Sequence, residues 1–377
     1  MEKIIFRKFL YDFLTFFLVV SLSLSLITWI IQSVNYLDFI SKDGHGFSVY
    51  FGFISLNFPK IFSKIVIFSY FVSLFYTIQK YQSNNEILIF WTNGISRIKL
   101  VNFVVKISIL ITIFQIILVY FLVPKAQDYS RDFIRTSNID FFTSLITEKK
   151  FIDTVKNFTI YVENIDEEGN MENLFLKDSV DNLNPQIITA KSGKIIETES
   201  EKFLSLKFGQ ILDVQQDDFG NTKVIKFNST TFSLSNLKSK STTFPKLQEL
   251  DSHVLIKCIN NYFFGKKIYY ILPIFHCSES SSIKGAKEIF NRSFKQIYII
   301  LLGLIATILI FTNENSPKQT SQKFLIFFIG IICIILSEIN SEFLNISIIN
   351  NIFFMLLPLI IFFILYLFVF NLNQKNI

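Results

Sequence analysis

The stretch from Leu100 to Lys125, LVNFVVKISILITIFQIILVYFLVPK, decides the fold. About 20 mainly apolar residues carry a helix across the hydrocarbon core of a bilayer. Leu100 to Val123 meets that length, and Pro124 reads as the stop. After Lys125 the character changes: up to about Lys295 no uninterrupted apolar run is long enough to span. Upstream, two further spans are expected, Phe13 to about Val34 and about Tyr50 to Ile78, the second interrupted by Pro59, Lys60 and Lys64. Downstream come Gln296 to Phe311, Phe324 to Ser337 and Ile348 to Phe370. The Phe324 run is short and must recruit flanking residues or thin the bilayer locally. The N-terminal run is too long for a signal-peptide core and no small-residue cleavage site follows it, so it reads as an uncleaved span. The fold class is therefore an α-helical membrane protein, three spans plus three, with a polar domain inserted between them.

Composition agrees. Of 377 residues 51% are hydrophobic, concentrated in those runs. The net charge of +6 comes from 36 basic and 30 acidic residues, with no basic tail, which argues against a nucleic-acid partner. Lysine and arginine near span ends set orientation. Lys3, Arg7 and Lys8, then Lys80, Arg97 and Lys99, then Lys318 and Lys323, then Lys375 fall on one side, the cytoplasm. The opposite loops hold Asp38, Lys42 and Asp43, and Glu338 with Glu342. Both termini are expected in the cytoplasm and the middle segment outside.

That middle segment reads as β-rich from about Phe151 to Leu234. Short runs rich in β-branched and aromatic residues (Phe158 to Val162, Leu174 to Leu176, Gln186 to Thr189, Phe203 to Phe208, Val224 to Phe227) alternate with turn chemistry at Gly169-Asn170, Asn184-Pro185, Ser192-Gly193 and Gly220-Asn221. The spacing predicts a sandwich or barrel-like domain. Lys246 to Phe264 and Ser280 to Lys295 turn helical and read as connectors.

Catalytic signals are absent from the motif level. No P-loop and no H-E-x-x-H occur, and His45, His253 and His276 are far apart in sequence. No cofactor or metal is implied. Cys258, Cys277 and Cys333 show no metal spacing. The first two fall on the outer side, where a disulfide is allowed, and the sequence leaves their pairing open. Two features invite function. In the loop between spans two and three, Asn84 or Asn85 can cap a short helix starting near Glu86, with Ile87, Phe90 and Trp91 on one face, Gly94 at its end and Arg97 beyond. It reads either as an ordinary interfacial helix or as a docking element for a cytoplasmic partner. In span two, Lys60 and Lys64 share one helix face in the expected outer half. They either snorkel to the headgroups or hold an anionic lipid.

The order of elements resembles the lipopolysaccharide-export permease family LptF/LptG over nearly the whole chain. Asn85-Glu86-Ile87 and Asn93-Gly94-Ile95-Ser96 resemble the family's loop motif S/N-E-[IL]-x-A-x-x-[AS]-x-G-[IL]-S. Glu288 and Arg292 are similar to the E-x-x-x-R ahead of the fourth span, and Gln32 to Asp38 looks closer to the LptF branch than to LptG. The resemblance implies a periplasmic β-jellyroll-like domain that hands lipopolysaccharide to a bridge. It implies a homologous LptG-like partner, an LptB-like ATPase dimer and LptC/LptA-like bridge components. It implies ATPase coupling through Glu86, Gly94 and Arg97, and lipid phosphate binding by Lys60, Lys64 and Lys42. On this reading residues 1–123 carry spans one to three with a coupling helix near 84–95. Residues 124–265 form the periplasmic domain with a connecting helix, 266–295 a connector, and 296–377 spans four to six. The chain departs from the pattern at Asn35, where LptF relatives often carry Arg, at Trp91-Thr92, where small residues are usual, and in the reduced loop Asn315 to Lys318. The competing class is a membrane sensor with an outer domain, but it lacks a cytoplasmic output segment of domain size. A membrane enzyme would need converging acid, base or metal groups that the sequence does not show.

Overall fold

The computed structural model describes residues 2–37, 46–136, 146–153, 158–166, 169–179, 185–197, 202–214, 222–234, 246–263, 279–312, 319–344 and 348–375. Among them, six helical stretches are long and apolar enough to cross a membrane: Glu2–Asn35, Phe47–Ser83, Arg97–Ile134, Ser280–Phe311, Gln319–Phe343 and Asn351–Gln374. Three precede and three follow an antiparallel sheet, the expected arrangement. The chain divides into two compact units, one of residues 1–30, 57–128 and 244–377, the other of residues 31–56 and 129–243.

The helices are α1 (Glu2–Asn35), α2 (Phe47–Ser83), the short α3 (Ile87–Thr92), α4 (Arg97–Ile117) and α5 (Val123–Thr136), then α6 (Ser252–Phe263), α7 (Glu279–Arg292), α8 (Tyr298–Thr307), α9 (Gln319–Asn340) and α10 (Ile348–Lys375). Two helices differ from the sequence reading. Pro124 does not stop the third span. A π-helical turn, Leu118–Leu122, joins α4 to α5 and the helix runs on. Proline lacks an N–H and crowds the carbonyl four residues back, here that of Tyr120. A π turn makes room for it. The freed Tyr120 carbonyl accepts a hydrogen bond from Ser252 Oγ at 2.8 Å, so the break in the ladder is satisfied by tertiary structure. The fifth span is also longer than its apolar run. At 22 residues α9 reaches about 33 Å, enough for the hydrocarbon core without thinning it. Its polar flanks, Gln319 to Lys323 and Glu338 to Asn340, continue the same helix.

At the centre of the helical unit lies α8. All its residues but Ile300 are buried, and it is apolar all round, as an enclosed helix should be. In lipid, burying apolar surface between helices gains little; close approach and interhelical hydrogen bonds hold a bundle. Both are present. A Cβ on Gly303 would lie 2.2 Å from Ser108 Oγ and 2.7 Å from the Tyr70 hydroxyl, and those two hydroxyls bond each other at 2.6 Å. On α9, Gly330 admits the ring of Phe71 against its backbone. Asn340 donates to the Tyr298 hydroxyl at 3.1 Å and to the Phe354 carbonyl at 3.0 Å, tying α9 to α8 and α10.

The second unit holds the sheet: β1 (Phe151–Ile152), β2 (Phe158–Ile165), β3 (Asn170–Asp178), β4 (Gln186–Glu197), β5 (Lys202–Val214) and β6 (Thr222–Ser233), each pairing antiparallel with the next. The rings of Phe158 on β2 and Phe232 on β6 stack at 5.3 Å, although β2 and β6 are not neighbours in the ladder. The sheet therefore curls on itself, jellyroll-like, around Ile160, Val162, Leu174, Leu176, Leu204 and Leu206. Each such side chain contributes about 1.5–3 kcal/mol by leaving water. Ser192-Gly193 is not a turn. It lies inside β4, where Gly193 sits under Leu206 and Leu174, a close approach that reads as a breaker in sequence. The expected turns at Asn184 and at Gly220-Asn221 lie outside the described residues. Across the sheet, the ladders step over Glu163, Asn173, Lys191, Phe208 and Asn228, a continuous row of positions that oppose one another without pairing and without a shift of register. Two of them are left-handed, Asn173 at φ 49° and Phe208 at φ 53°.

Candidate functional site

The loop after α2 is built more firmly than its sequence implies. Neither asparagine caps α3. Asn85 takes φ 56°, a left-handed conformation that asparagine tolerates, and so ends α2. Asn84 Nδ2 instead donates to Glu86 Oε1 at 3.1 Å. Glu86 itself occupies the N-cap position, where its carboxylate meets Lys8 Nζ at 3.4 Å. The α3 end is a Schellman motif: Ile95 N–H bonds the Phe90 carbonyl and Gly94 N–H bonds that of Trp91. Ile95 and Phe90 are both buried, which supplies the hydrophobic contact that accompanies this motif. Gly94 has φ 74°, and nothing lies within 4 Å of where its Cβ would be. Gly94→Ala therefore tests the backbone alone. It is expected to cost about 1 kcal/mol locally, seen as roughly fivefold faster hydrogen exchange at the Ile95 amide.

One face of α3 is anchored. Phe90 packs among the rings of Phe6, Phe9 and Tyr81, and the Tyr81 hydroxyl donates to Asp12 at 2.7 Å. Lys99 pairs with Glu2 at 3.0 Å, so the start of α1 braces the loop on both sides. Arg97 does not project freely: its guanidinium sits over Trp91 at 5.9 Å and over Phe311 at 5.8 Å. The sequence predicts a single apolar face. In the structure Ile87 and Phe90 are buried, while Leu88 and Ile89, about half exposed, point away beside Glu86. Leu88 and Ile89 thus form an outward aliphatic pair next to the Glu86 carboxylate, on a helix already anchored behind.

The lysines on α2 separate. Lys64 is exposed, whereas Lys60 is partly buried and donates to Gln248 Oε1 at 3.0 Å. Glu288, Glu249, Lys64 and Lys246 share its electrostatic surroundings. Lys42 lies outside the described residues. Behind Gln248 stands a residue that sequence reading noticed only as part of a motif. Arg292, at the end of α7, is 1% exposed. Its Nε bonds Glu288 at 2.9 Å; one terminal nitrogen bonds the Leu250 carbonyl and Ser252 Oγ, both at 2.8 Å; the other bonds the carbonyls of Leu247 and Gln248 at 3.3 and 3.0 Å. All five guanidinium donors are used. The i, i+4 spacing of Glu288 and Arg292 was the available signal.

On the sheet, a groove of about 620 Å³ follows the row of unpaired positions, with Tyr161, Phe175, Lys191, Phe208 and Lys226 in its lining. Among the described residues no group of three or more His, Cys, Asp and Glu side chains could hold a metal ion. His45 and His276 lie outside those residues. Cys258 is disulfide-bonded and Cys333 is free and buried, while Cys277 lies outside the described residues.

The profile of the family "Lipopolysaccharide export system permease LptF/LptG" matches residues 7–372 of the chain. The chain is also similar to the uncharacterised protein RP871 of Rickettsia prowazekii (strain Madrid E), 22% identical over 320 residues that cover 84% of each.

Proposed function

The chain belongs to the lipopolysaccharide export permease family LptF/LptG, and on that premise we propose that it is the membrane subunit of an ABC transporter. It is a multi-pass inner-membrane permease of the lipopolysaccharide export system; members of this family are permease subunits rather than enzymes. In the proposed cycle a separate ATPase dimer docks on α3, with Glu86 as the acidic contact and Leu88 and Ile89 as the apolar one. Gly94 holds the helix end and Arg97 clamps it to Trp91 and Phe311. A homologous six-span subunit completes the cavity. Lys60 and Lys64, with Lys42, hold lipid phosphates; nucleotide-driven closure then passes the lipid to the outer domain and on to a periplasmic bridge. Residues 1–123 and 296–377 are read as the membrane part, 124–265 as the periplasmic domain and 266–295 as a connector.

The observation that carries this reading is the family match across 7–372, both helical halves and the inserted sheet together. Orientation rests on the cytoplasmic excess of lysine and arginine at span ends. The disulfide at Cys258 adds support, because such bonds persist on the oxidising side of the membrane. The test is purification of the tagged chain from its own membranes in mild detergent. A second six-span protein and an ATPase should come down in fixed ratio. Recovery of the chain without any ATPase would overturn the proposal.

A further inference from the structure

The row of unpaired positions changes what the sheet shows to solvent. Side chains along a strand alternate between its two faces. On β2 the core takes Ile160 and Val162 before the row and Ile165 after it; on β4 it takes Ile188 and Ala190, then Ile195; on β5 it takes Leu204 and Leu206, then Ile211. Each of these strands therefore spends one extra residue at the row, and because they do so at opposed positions the register survives. Simple alternation from Leu204 and Leu206 would send Phe208 into the core. Instead Phe208 sits at φ 53° and is 61% exposed. A bulky side chain rarely takes that conformation, and strain of this kind gathers at functional sites. Beside it Gly209 lets β5 close on β4: a Cβ there would lie 2.1 Å from the Thr189 carbonyl oxygen and 2.6 Å from the Phe227 ring.

The groove along this row is chemically divided. Tyr161 and Phe175, in ring contact with Phe151, form an aromatic end; Phe208, Lys191 and Lys226 form a cationic one. The side-chain amides of Asn173, Gln210 and Asn228 also line it. Glu163, the acidic member of the row, accepts from Asn173 Nδ2 at 2.6 Å, while Lys191 and Lys226 make no ion pair among the described residues. We propose that this groove binds an acidic oligosaccharide, the glycan of the exported lipopolysaccharide. Sugar rings present C–H faces to aromatic side chains and hydroxyls to amides, and their acid substituents pair with ammonium groups. A lipid acyl chain would leave the lysines and amides unmatched. An acidic peptide or free phosphate would leave the aromatic rings uncovered. The volume, about 620 Å³, is that of a small-ligand site. The proposal rests on the reading that this chain handles lipopolysaccharide, and adds where the sugars go.

The test uses the full chain in membranes containing lipopolysaccharide, with a benzophenone amino acid at one of two exposed positions: Ser229, next to Asn228 of the groove, or Phe68 on α2. The readout is photo-crosslinking to lipopolysaccharide, expected at both. Lys191→Gln with Lys226→Gln should lower it about tenfold at Ser229 and leave Phe68 unchanged. Phe208→Ala should lower it about threefold at Ser229. Phe208→Gly should do the same while the melting temperature holds or rises, since glycine carries no strain at φ 53°. With lipopolysaccharide truncated to its acylated anchor, crosslinking at Ser229 should fall more than tenfold and that at Phe68 persist. Equal crosslinking at Ser229 with the truncated lipid, a protein captured there in place of lipopolysaccharide, or wild-type crosslinking in the lysine and Phe208 variants would overturn the proposal. Crosslinking at Phe68 with none at Ser229 would overturn it and leave the export reading standing. Crosslinking at neither would defeat the export reading and the proposal with it.

Discussion

Glu86→Lys is expected to abolish ATP-driven lipopolysaccharide release, at least a tenfold loss, while the chain still folds and inserts. The structure gives the reason for separating these outcomes. Glu86 makes a 3.4 Å pair with an exposed Lys8 and accepts from Asn84. A pair of that kind is worth about 0–1 kcal/mol to stability, and the aromatic mount of α3 does not include Glu86. Losing the carboxylate therefore costs the fold little, so a loss of release would report the proposed contact with the ATPase. Reversing the charge also sets a lysine against Lys8. Glu86→Ala should give the same direction with a smaller effect. The check is lipid release per ATP hydrolysed in the reconstituted complex, with thermal unfolding of the free chain as control. A release rate equal to wild type in either variant would remove Glu86 from the coupling path.

The double reversal Lys60→Glu with Lys64→Glu is expected to cut lipopolysaccharide crosslinking at α2 by more than tenfold. Two ammonium groups one turn apart become two carboxylates, and position 60 then faces Glu288 and Glu249 as well. Charge repulsion toward phosphate replaces attraction, so the loss should exceed that of Lys60→Gln with Lys64→Gln. Crosslinking in the neutral pair separates lost attraction from added repulsion. If both double variants crosslink as wild type does, the lysines only snorkel, and the phosphates are held elsewhere.

Much of this architecture was legible in the sequence because a bilayer writes simple rules. Long apolar runs, their interruption between Lys125 and Lys295, and the alternating strand segments around Phe158 and Leu174 each follow from burial against one solvent or the other. What escaped reading depends on partners far along the chain. Pro124 looks like a stop until Ser252 supplies the donor for the carbonyl it frees. Gly193 looks like a turn until Leu174 and Leu206 are seen to pack against it. The α9 ends look too polar to belong to a span, yet a helix does not stop where hydropathy does. At the loop, the pattern placed a short helix after Glu86, as the structure has it, but named the wrong cap: the left-handed Asn85 ends α2 rather than starting α3. Leu88 and Ile89 were hidden by the assumption that a surface helix has a single apolar face. The charged residues differ in the same way. Lys60 and Lys64 stand out as charges in an apolar run, whereas the turn that Arg292 holds lies 40 to 45 residues back and shows only in the fold.

On the proposed reading this chain moves lipopolysaccharide as a subunit driven by a separate ATPase docked on α3. The most direct measurement is lipopolysaccharide release from proteoliposomes that hold the purified chain with its co-purified subunits, followed with and without ATP and with a hydrolysis-blocked analogue. Release that requires ATP hydrolysis, and that Glu86→Lys eliminates, is the predicted result. Release indifferent to nucleotide, or ATP-dependent release that persists when this chain is omitted, would contradict it.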